Sequence, residues 1–132
     1  MRILLAEDHP INRRVAELIL GSAGVDLTSV ENGREAVAAW TAQPFDLILM
    51  DLQMPVMDGL TAIRAIRAAE ASQPRRPTPI FALTANAMHE DVARSRAAGA
   101  DAHLTKPIDA RTLISAVEGV RATAPEEAAS AH

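Results

Sequence analysis

Short apolar runs alternate five times with longer helical patterns along the 132 residues of the chain. The clearest run covers residues 47–50 (Leu-Ile-Leu-Met), and its lack of polar alternation is typical of a strand buried on both faces of a parallel sheet. Strict alternation of strands and helices predicts an α/β domain whose parallel sheet has helices on both faces. Right-handed crossovers leave few topologies, and we expect a single doubly wound (βα)5 domain with strand order 2-1-3-4-5. The predicted strands are residues 2–6, 26–30, 46–50, 80–83 and 101–105.

The ends of the predicted helices carry residues that favour helix termini. Pro10 suits the first turn of the first helix, Asn32 the cap of the second and Asp109 the cap of the fifth. The helix predicted over residues 86–98 has only two large apolar side chains, so we expect it to be weakly anchored. One face of the first helix is marked by Ile11, Val15, Leu18, Ile19 and Ser22.

Composition limits the classes of protein to consider, because 48% hydrophobic and 23% charged residues are typical of one globular domain. No secretion signal is visible, and no apolar run approaches the roughly 20 residues of a membrane span. The absence of cysteine excludes disulfides, thiol catalysis and Cys-ligated zinc. A net charge of −4 argues against a dedicated nucleic-acid binder. We expect a cytoplasmic domain without direct membrane contact. The domain is predicted to span residues 1–121, and the Ala/Glu/Ser-rich residues 122–132 are predicted to be a disordered tail.

Polar side chains follow four of the five predicted strands. Glu7 and Asp8 follow the first strand, Asp51 the third, Thr84 the fourth and Lys106 the fifth. The carboxyl ends of parallel strands meet at one edge of the sheet, which is where ligands bind in this class of fold. Lys106 is the only lysine in the chain, which has 12 arginines. Either a compact point charge is needed at this position, or Lys106 is a chance surface lysine. We expect these groups to converge on one cleft.

Three carboxylates in such a cleft repel each other, and a divalent cation would relieve the repulsion. Oxygen ligands without a suitably spaced His or Cys favour Mg²⁺, with Mn²⁺ as the alternative. We expect carboxylate ligands from Asp8 and Asp51. The loop after Asp51 can add a main-chain carbonyl, most simply that of Gln53, and Glu7 can act through water.

A strand-end carboxylate beside a metal ion and a lysine is suited to accept a phosphoryl group. Asp51 can attack phosphorus to form an aspartyl phosphate. Lys106 can pair with the phosphoryl oxygens, and Thr84 can donate a hydrogen bond to them. The residue set therefore suggests phosphoryl transfer to Asp51. Ordinary structural roles stay open: helix caps for Glu7 and Asp8, turn residues for Asp51 and Pro107, and a structural strand end for Thr84.

Four motifs, in this order, resemble the receiver domains of two-component response regulators. They are Leu5-Ala6-Glu7-Asp8, the run 47–59 with Met54-Pro55-Val56-Met57-Asp58-Gly59, then Ala82-Leu83-Thr84-Ala85, and Leu104-Thr105-Lys106-Pro107. The resemblance covers about residues 1–121 and implies a flavodoxin-like fold with the same strand order, which the chemotaxis member of the family has. Within the family, the chain is most similar to the receivers of hybrid sensor histidine kinases, through Glu7-Asp8-His9-Pro10-Ile11-Asn12-Arg13 and Ala82-Leu83-Thr84-Ala85-Asn86-Ala87-Met88.

The resemblance implies a role for each residue at the strand ends. Asp51 is the expected phosphoacceptor, and its donor would be a phosphohistidine on a histidine kinase or a histidine phosphotransfer protein. Asp8 and Asp51 resemble the family's direct metal ligands, with the main-chain oxygen of Gln53 as the third. Glu7 resembles the residue that supports the metal through water. The positions that match the family's phosphate-binding and switch residues and its cis peptide bond are Thr84, Ala85, Lys106 and Pro107.

The resemblance also implies that phosphorylation alters a protein-binding surface made of the fourth helix, fifth strand and fifth helix. The family often has Tyr or Phe two positions before the Thr of strand five, and this chain has His103 there. The usual coupling of Thr84 to an inward-turning aromatic is therefore in question, and we hypothesise that His103 takes the switch position and responds to pH as well as phosphate. No residues remain for an output domain, so we expect a stand-alone receiver or one excised from a hybrid histidine kinase. We expect it to be bacterial and cytoplasmic, either alone or as part of a membrane-anchored sensor kinase.

Other classes of protein are weighed against this interpretation. Phosphatases of the haloacid dehalogenase type also use a strand-end Asp and Mg²⁺, but they usually have a second acid where this chain has Gln53. A degenerate receiver that serves only for docking would not need the acids and the lysine that are intact here. Nucleotide binding is disfavoured, because no Gly-x-Gly-x-x-Gly or Gly-Lys-Ser/Thr loop is present. We expect a signalling domain that catalyses only its own phosphotransfer and slow autodephosphorylation, with its cognate kinase and oligomeric state left open.

Overall fold

A computed structural model of the chain describes residues 1–73, 76–85 and 89–130, with His89 and residues 123–130 described by their backbone only. Within these residues, five strands and five helices alternate as the sequence predicts. The strands are β1 Arg2–Ala6, β2 Asp26–Val30, β3 Leu47–Asp51, β4 Ile80–Thr84 and β5 Ala102–Thr105. The helices are α1 Pro10–Ser22, α2 Gly33–Ala42, α3 Gly59–Glu70, α4 His89–Ala98 and α5 Ala110–Ser130.

The five strands form one parallel sheet in the order β2-β1-β3-β4-β5, which confirms the predicted topology. β1 and β3 are neighbours, with Ala6 opposite Met50 in the register. On the other side of β3, Asp51 lies opposite Leu83 of β4. The carboxyl ends of β1, β3 and β4 are therefore level with each other, and the side chains that follow them meet at one edge of the sheet.

The two faces of the sheet pack against different helices. On one face, Met50 packs in a cluster with Trp40 of α2 and Ile63 of α3. On the other face, Leu49 packs with Leu20 of α1 in a cluster that also includes residues of α5. All residues of β3 are buried, as the unbroken apolar run predicts. Burying each such large apolar side chain stabilises the fold by about 1.5–3 kcal/mol.

Capping side chains define the beginnings of three helices. Asn32 Oδ1 and Asp109 Oδ1 each accept the backbone N–H three residues on, at 2.8 and 2.7 Å, so both predicted caps are confirmed. Asp58 caps α3 in the same way at 2.8 Å. Because parallel strands are followed by helices that begin at the carboxyl edge of the sheet, these caps also order the loops at that edge.

The residues that the sequence marks on α1 only partly form the face that packs on the sheet, where Ile19 is half-buried against the cluster that contains Leu20. Ile11, Val15 and Leu18 are 68%, 44% and 58% exposed, while Ala16 and Leu20 carry the buried contact. Apolar periodicity identifies the helix but does not say which of two apolar stripes is covered, because that depends on how the helix is docked.

Some element boundaries differ from the prediction. β3 includes Asp51, and α4 begins at His89, while the first three residues of the predicted helix lie outside the described part of the chain. α5 continues to Ser130, so the backbone of residues 122–130 is helical where the sequence predicts a disordered tail. Ala and Glu, which are frequent in this segment, are strong helix formers, and this is a physical reason for the longer helix. None of the described helices has both the length and the apolar composition that crossing a bilayer needs.

Candidate functional site

The adjacency of β1 and β3 brings three carboxylates together. Glu7, Asp8 and Asp51 each offer an oxygen atom, and these three oxygens lie within 4.8 Å of one another. Glu7 and Asp51 are only 2% and 3% exposed, whereas Asp8 is more accessible. Among the described residues, the Asp8 carboxylate has no hydrogen-bond or ion-pair partner, so it is available to a ligand.

Lys106 reaches this cluster from the end of β5. Its Nζ lies 3.0 Å from Glu7 Oε1 and 3.1 Å from Asp51 Oδ2, so one ammonium bridges two buried acids. Burial would lower the pKa of Lys106, but its hydrogen bonds and charge interactions with Glu7 and Asp51 outweigh burial and raise that pKa above its ordinary value. Lys106 is therefore held in the charged form.

The charged form of Asp51 is disfavoured even though Lys106 lies beside it. Burial and the neighbouring Glu7 charge raise the pKa of Asp51 from 3.8 to about 7, against the lowering effects of Lys106 and the Gln53 N–H group. A single lysine does not balance the three acids, and the excess negative charge is confined to hard oxygen ligands. The donor set therefore fits a divalent cation such as Mg²⁺.

The second carboxylate oxygens of the two buried acids are held by backbone groups. The His9 N–H donates to Glu7 Oε2 at 3.1 Å, and the Gln53 N–H donates to Asp51 Oδ1 at 3.2 Å. Both oxygens of Glu7 and both oxygens of Asp51 are thus already engaged within the chain, whereas Asp8 makes no such contact among the described residues. The Gln53 contact also ties the loop after β3 to the acid cluster.

The loop between β3 and α3 is held in place by two glycines. A Cβ at Gly33 would lie 2.5 Å from the carbonyl oxygen of Met57, and a Cβ at Gly59 would collide with the backbone of Asp51 and Leu52. The Gly33 N–H donates to Met57 O at 2.9 Å, and the Gly59 N–H donates to Leu52 O at 3.1 Å. The start of α2 therefore supports the loop that carries Gln53.

A cavity of about 350 Å³ opens beside Asp51. Its lining includes Thr84, Ala85 and Lys106, so the structure brings the sequence-predicted phosphate-binding residues to one space with Asp51. Thr84 is buried, and its carbonyl oxygen accepts the Lys106 N–H at 2.7 Å, which ties the ends of β4 and β5 together. The Lys106–Pro107 peptide bond is cis, as the resemblance implies.

His103 does not line this cavity. It is half-buried in β5, opposite Ala82 in the register, on the sheet face that packs with α2 and α3. Two residues of α4 that the sequence interpretation missed, Asp91 and Arg94, do line it. Their positions three residues apart near the helix start were the one available signal, because an i,i+3 acid–base pair shares one helix face.

Comparison with known proteins agrees with this geometry. The chain matches the response regulator receiver domain family over residues 3–118. It is 43% identical over 116 residues to the sensor protein GacS of Pseudomonas syringae, in a match that covers 88% of this chain and 13% of GacS. The chemotaxis response regulator CheY4 of Vibrio cholerae superposes with a TM-score of 0.81 and 31% identity, over 90% of this chain and 97% of that chain. The receiver domain of Ssk1, solved with the histidine phosphotransfer protein Ypd1 of Saccharomyces cerevisiae, matches with a TM-score of 0.79 and 31% identity. This match covers 86% of this chain and 83% of that chain.

The chain therefore belongs to the response regulator receiver domain family. It is a receiver domain of a two-component phosphorelay, a signalling domain rather than a conventional enzyme. Hybrid sensor histidine kinases are among its curated relatives, which confirms the predicted similarity to their receivers. The chain spans 13% of the length of GacS, so the activity of such a whole protein is not carried over to it.

Proposed function

We propose that Asp51 accepts a phosphoryl group from a phosphohistidine. In this transfer, a carboxylate oxygen of Asp51 forms the new P–O bond while the P–N bond to the donor imidazole breaks. The donor nitrogen keeps the electron pair of the broken bond and takes up a proton. The observation that supports this role is the confinement of Asp51, with a pKa of about 7, between a second buried acid and Lys106 at the wall of an open cavity.

The other residues of the site hold the phosphoryl group and prepare Asp51. Lys106 pairs with phosphoryl oxygens after transfer, because its Nζ already lies 3.1 Å from Asp51 Oδ2. Thr84 and Ala85 line the same space, where the Thr84 hydroxyl hydrogen-bonds a phosphoryl oxygen and small Ala85 leaves room for it. The half-buried His103 acts at the switch position of β5.

The metal site of the proposal uses the acids and one backbone oxygen. Asp8 and Asp51 provide carboxylate oxygens, and the Gln53 carbonyl is the third protein ligand. Glu7, whose oxygens are engaged by Lys106 and His9, takes part through water. Bound Mg²⁺, or Mn²⁺ in its place, would neutralise charge on the acids and on the phosphoryl oxygens.

The exposed apolar stripe of α1 is the proposed docking surface for the donor. Ile11, Val15 and Leu18 are large exposed apolar residues on one helix, and α1 begins at Pro10, two residues after Asp8. Exposed apolar patches mark protein-interaction sites, and a helix of a histidine kinase or a histidine phosphotransfer protein could pack there. The complex of the Ssk1 receiver with Ypd1 supports a partner of this chemistry.

Phosphorylation is proposed to act through protein binding rather than turnover. The output surface is formed by α4, β5 and α5, of which α4 lines the phosphoacceptor cavity. The domain would catalyse its own phosphorylation and slow dephosphorylation, in the cytoplasm, without binding nucleic acid or membrane directly.

Intact-mass measurement after incubation with phosphoramidate and Mg²⁺ tests the proposal. We expect addition of one phosphoryl group to the wild-type protein and to Asp58→Asn, which changes an exposed acid of the same cavity. Addition should be lost in Asp51→Asn and on removal of the metal with EDTA. Addition that persists in Asp51→Asn would contradict the assignment of Asp51. Hydrolysis of a generic phosphoester that survives Asp51→Asn would instead favour a hydrolase, and no addition to the wild type, even from a phosphorylated histidine phosphotransfer protein, would leave only a docking module.

A further inference from the structure

The first half of α4, taken as residues 89–94, brings an ion pair to the phosphoacceptor cavity. Arg94 Nη2 lies 3.1 Å from Asp91 Oδ1, and both residues line the cavity that Asp51, Thr84 and Lys106 also line. The Arg94 side chain is 64% exposed and that of Asp91 is 29% exposed. A pair of this kind at a surface contributes little to stability, so Arg94 can exchange its partner at small cost.

Phosphorylation of Asp51 would change the charge of this cavity more than that of any other region. Transfer replaces the single negative charge of the Asp51 carboxylate with a phosphoryl group that carries about −1.5 to −2 near neutral pH, and Lys106 is already shared between Glu7 and Asp51. A compact volume of about 350 Å³ spans a distance on the order of the Debye length, which is about 8 Å at physiological ionic strength. Salt therefore screens the phosphoryl charge only partly. This charge attracts Arg94 and repels Asp91.

The two ends of α4 are held differently. Ser95 and Ala98, in the second half, are 2% and 6% exposed. Just beyond the helix, the Gly99 carbonyl accepts a hydrogen bond from Arg67 Nε at 2.9 Å, which fixes the helix end to α3. No described side chain in residues 90–94 is fully buried. A force that acts on Arg94 is therefore applied to the less anchored half of α4.

We propose that Arg94 is a phosphoryl-binding residue through which α4 responds to phosphorylation. Arg94 leaves Asp91 and donates hydrogen bonds to the phosphoryl oxygens on Asp51, and the first half of α4 becomes ordered against the cavity. His103 does not line the cavity, so this contact couples the site to α4 by a route separate from the switch position of β5. The inference rests on the proposed phosphorylation of Asp51 and adds to it the residue that transmits the change.

The test compares Arg94→Gln with Arg96→Gln, a matched change on the same helix at an exposed arginine that does not line the cavity. Each protein is incubated with phosphoramidate and Mg²⁺, its phosphorylation is measured by intact mass, and backbone hydrogen exchange is followed by mass spectrometry. In the wild type and Arg96→Gln, we expect phosphorylation to slow exchange in the first half of α4 by about tenfold. In Arg94→Gln the same phosphorylation should slow it by about twofold or less.

Two further variants test the direction of the effect. Arg94→Lys keeps the charge and should restore part of the slowing, which a purely structural role of the arginine would not predict. Asp91→Asn removes the competing partner and should lengthen the lifetime of the phosphorylated state. A wild-type response in fully phosphorylated Arg94→Gln would overturn this inference and leave the phosphoacceptor role of Asp51 intact. Failure of the wild type to gain a phosphoryl group would overturn both.

Discussion

Charged clusters lie at both ends of the sheet, and they are built in opposite ways. At the carboxyl end, Lys106 bridges Glu7 and Asp51. At the amino end, Arg67 bridges Glu70 and Asp101 with contacts of 2.7 and 2.8 Å. Each cluster has one cation between two acids, so the residue types alone do not distinguish them. The difference lies in how far each cluster is saturated by its surroundings and in the third acid, Asp8, at the carboxyl end.

The amino-end cluster is saturated with hydrogen bonds. Arg67 donates to the carbonyl oxygens of Gly99 and Thr78 at 2.9 and 2.8 Å, in addition to its two carboxylate contacts. Glu70 also accepts the Thr78 N–H at 2.8 Å, and Asp101 accepts the Ile80 N–H at 2.9 Å. The cluster links α3, the segment before β4 and the turn into β5, and its two acids are balanced by Arg67 and by backbone N–H groups.

The carboxyl-end cluster has a third acid and an adjoining cavity. Asp8 lies within 4.8 Å of the other two carboxylates, and the pKa of Asp51 is raised to about 7. The comparison teaches that excess charge, rather than the presence of buried charge, distinguishes the functional cluster from the structural one. A divalent cation can relieve an excess of negative charge that the protein itself does not balance.

The largest stability effect is expected from Arg67→Met at the amino end. This change leaves Glu70, whose side chain is 5% exposed, without its cation, and breaking such a buried pair costs about 3 kcal/mol. Urea unfolding should show the loss, and Arg64→Met, at an exposed position of the same helix, should change stability by less than about 0.5 kcal/mol. Equal losses in the two variants would show that the amino-end cluster is not a structural link.

Asp51→Asn, at the carboxyl end, should increase the free energy of unfolding, whereas Arg67→Met should decrease it. Because the folded-state pKa of Asp51, about 7, is above the ordinary 3.8, its contribution to stability is present below pH 4 and is lost as the pH rises to about 7. In metal-free buffer at pH 8, we expect Asp51→Asn to raise the free energy of unfolding by about 2 kcal/mol, less than the full shift implies because Asn has no charge for Lys106. The gain should be smaller at pH 5, and a gain independent of pH would refute the electrostatic explanation.

Gly33→Ala tests whether the carboxyl-end cluster depends on the loop that α2 supports. The added Cβ would press on the carbonyl oxygen of Met57 and displace the loop that carries Gln53. We expect Mg²⁺ affinity, measured by calorimetry, to fall by about tenfold, as for other changes around metal ligands. Gly21→Ala is the matched control, because a Cβ there meets nothing within 4 Å. An unchanged Mg²⁺ affinity in Gly33→Ala would show that the metal site does not depend on the contact between α2 and this loop.

The same comparison explains what the sequence could predict. The strand order and the convergence of Glu7, Asp8, Asp51, Thr84 and Lys106 follow from local apolar runs and from the polar residues at their ends, so they were predictable. The amino-end cluster was not, because Arg67 and Asp101 are 34 positions apart and nothing local indicates that they meet. Burial of Glu70 and exposure of Ile11 likewise depend on how a helix docks, which periodicity does not determine.

The smallest expected effect on stability comes from Asp101→Asn, which distinguishes the Arg67–Asp101 contact from the Arg67–Glu70 contact in the amino-end cluster. The Asp101 side chain is 54% exposed, and Asn at this position can still accept the Ile80 N–H, so Asp101→Asn should cost only about 0.5 kcal/mol in urea unfolding. This loss should shrink in 1 M salt, where the Debye length falls to about 3 Å, whereas the loss in Arg67→Met should persist because Glu70 is buried. A salt-independent loss in Asp101→Asn would mean that the Arg67–Asp101 contact is as desolvated as the Arg67–Glu70 contact. Both acids, rather than Glu70 alone, would then account for the stability that this cluster provides.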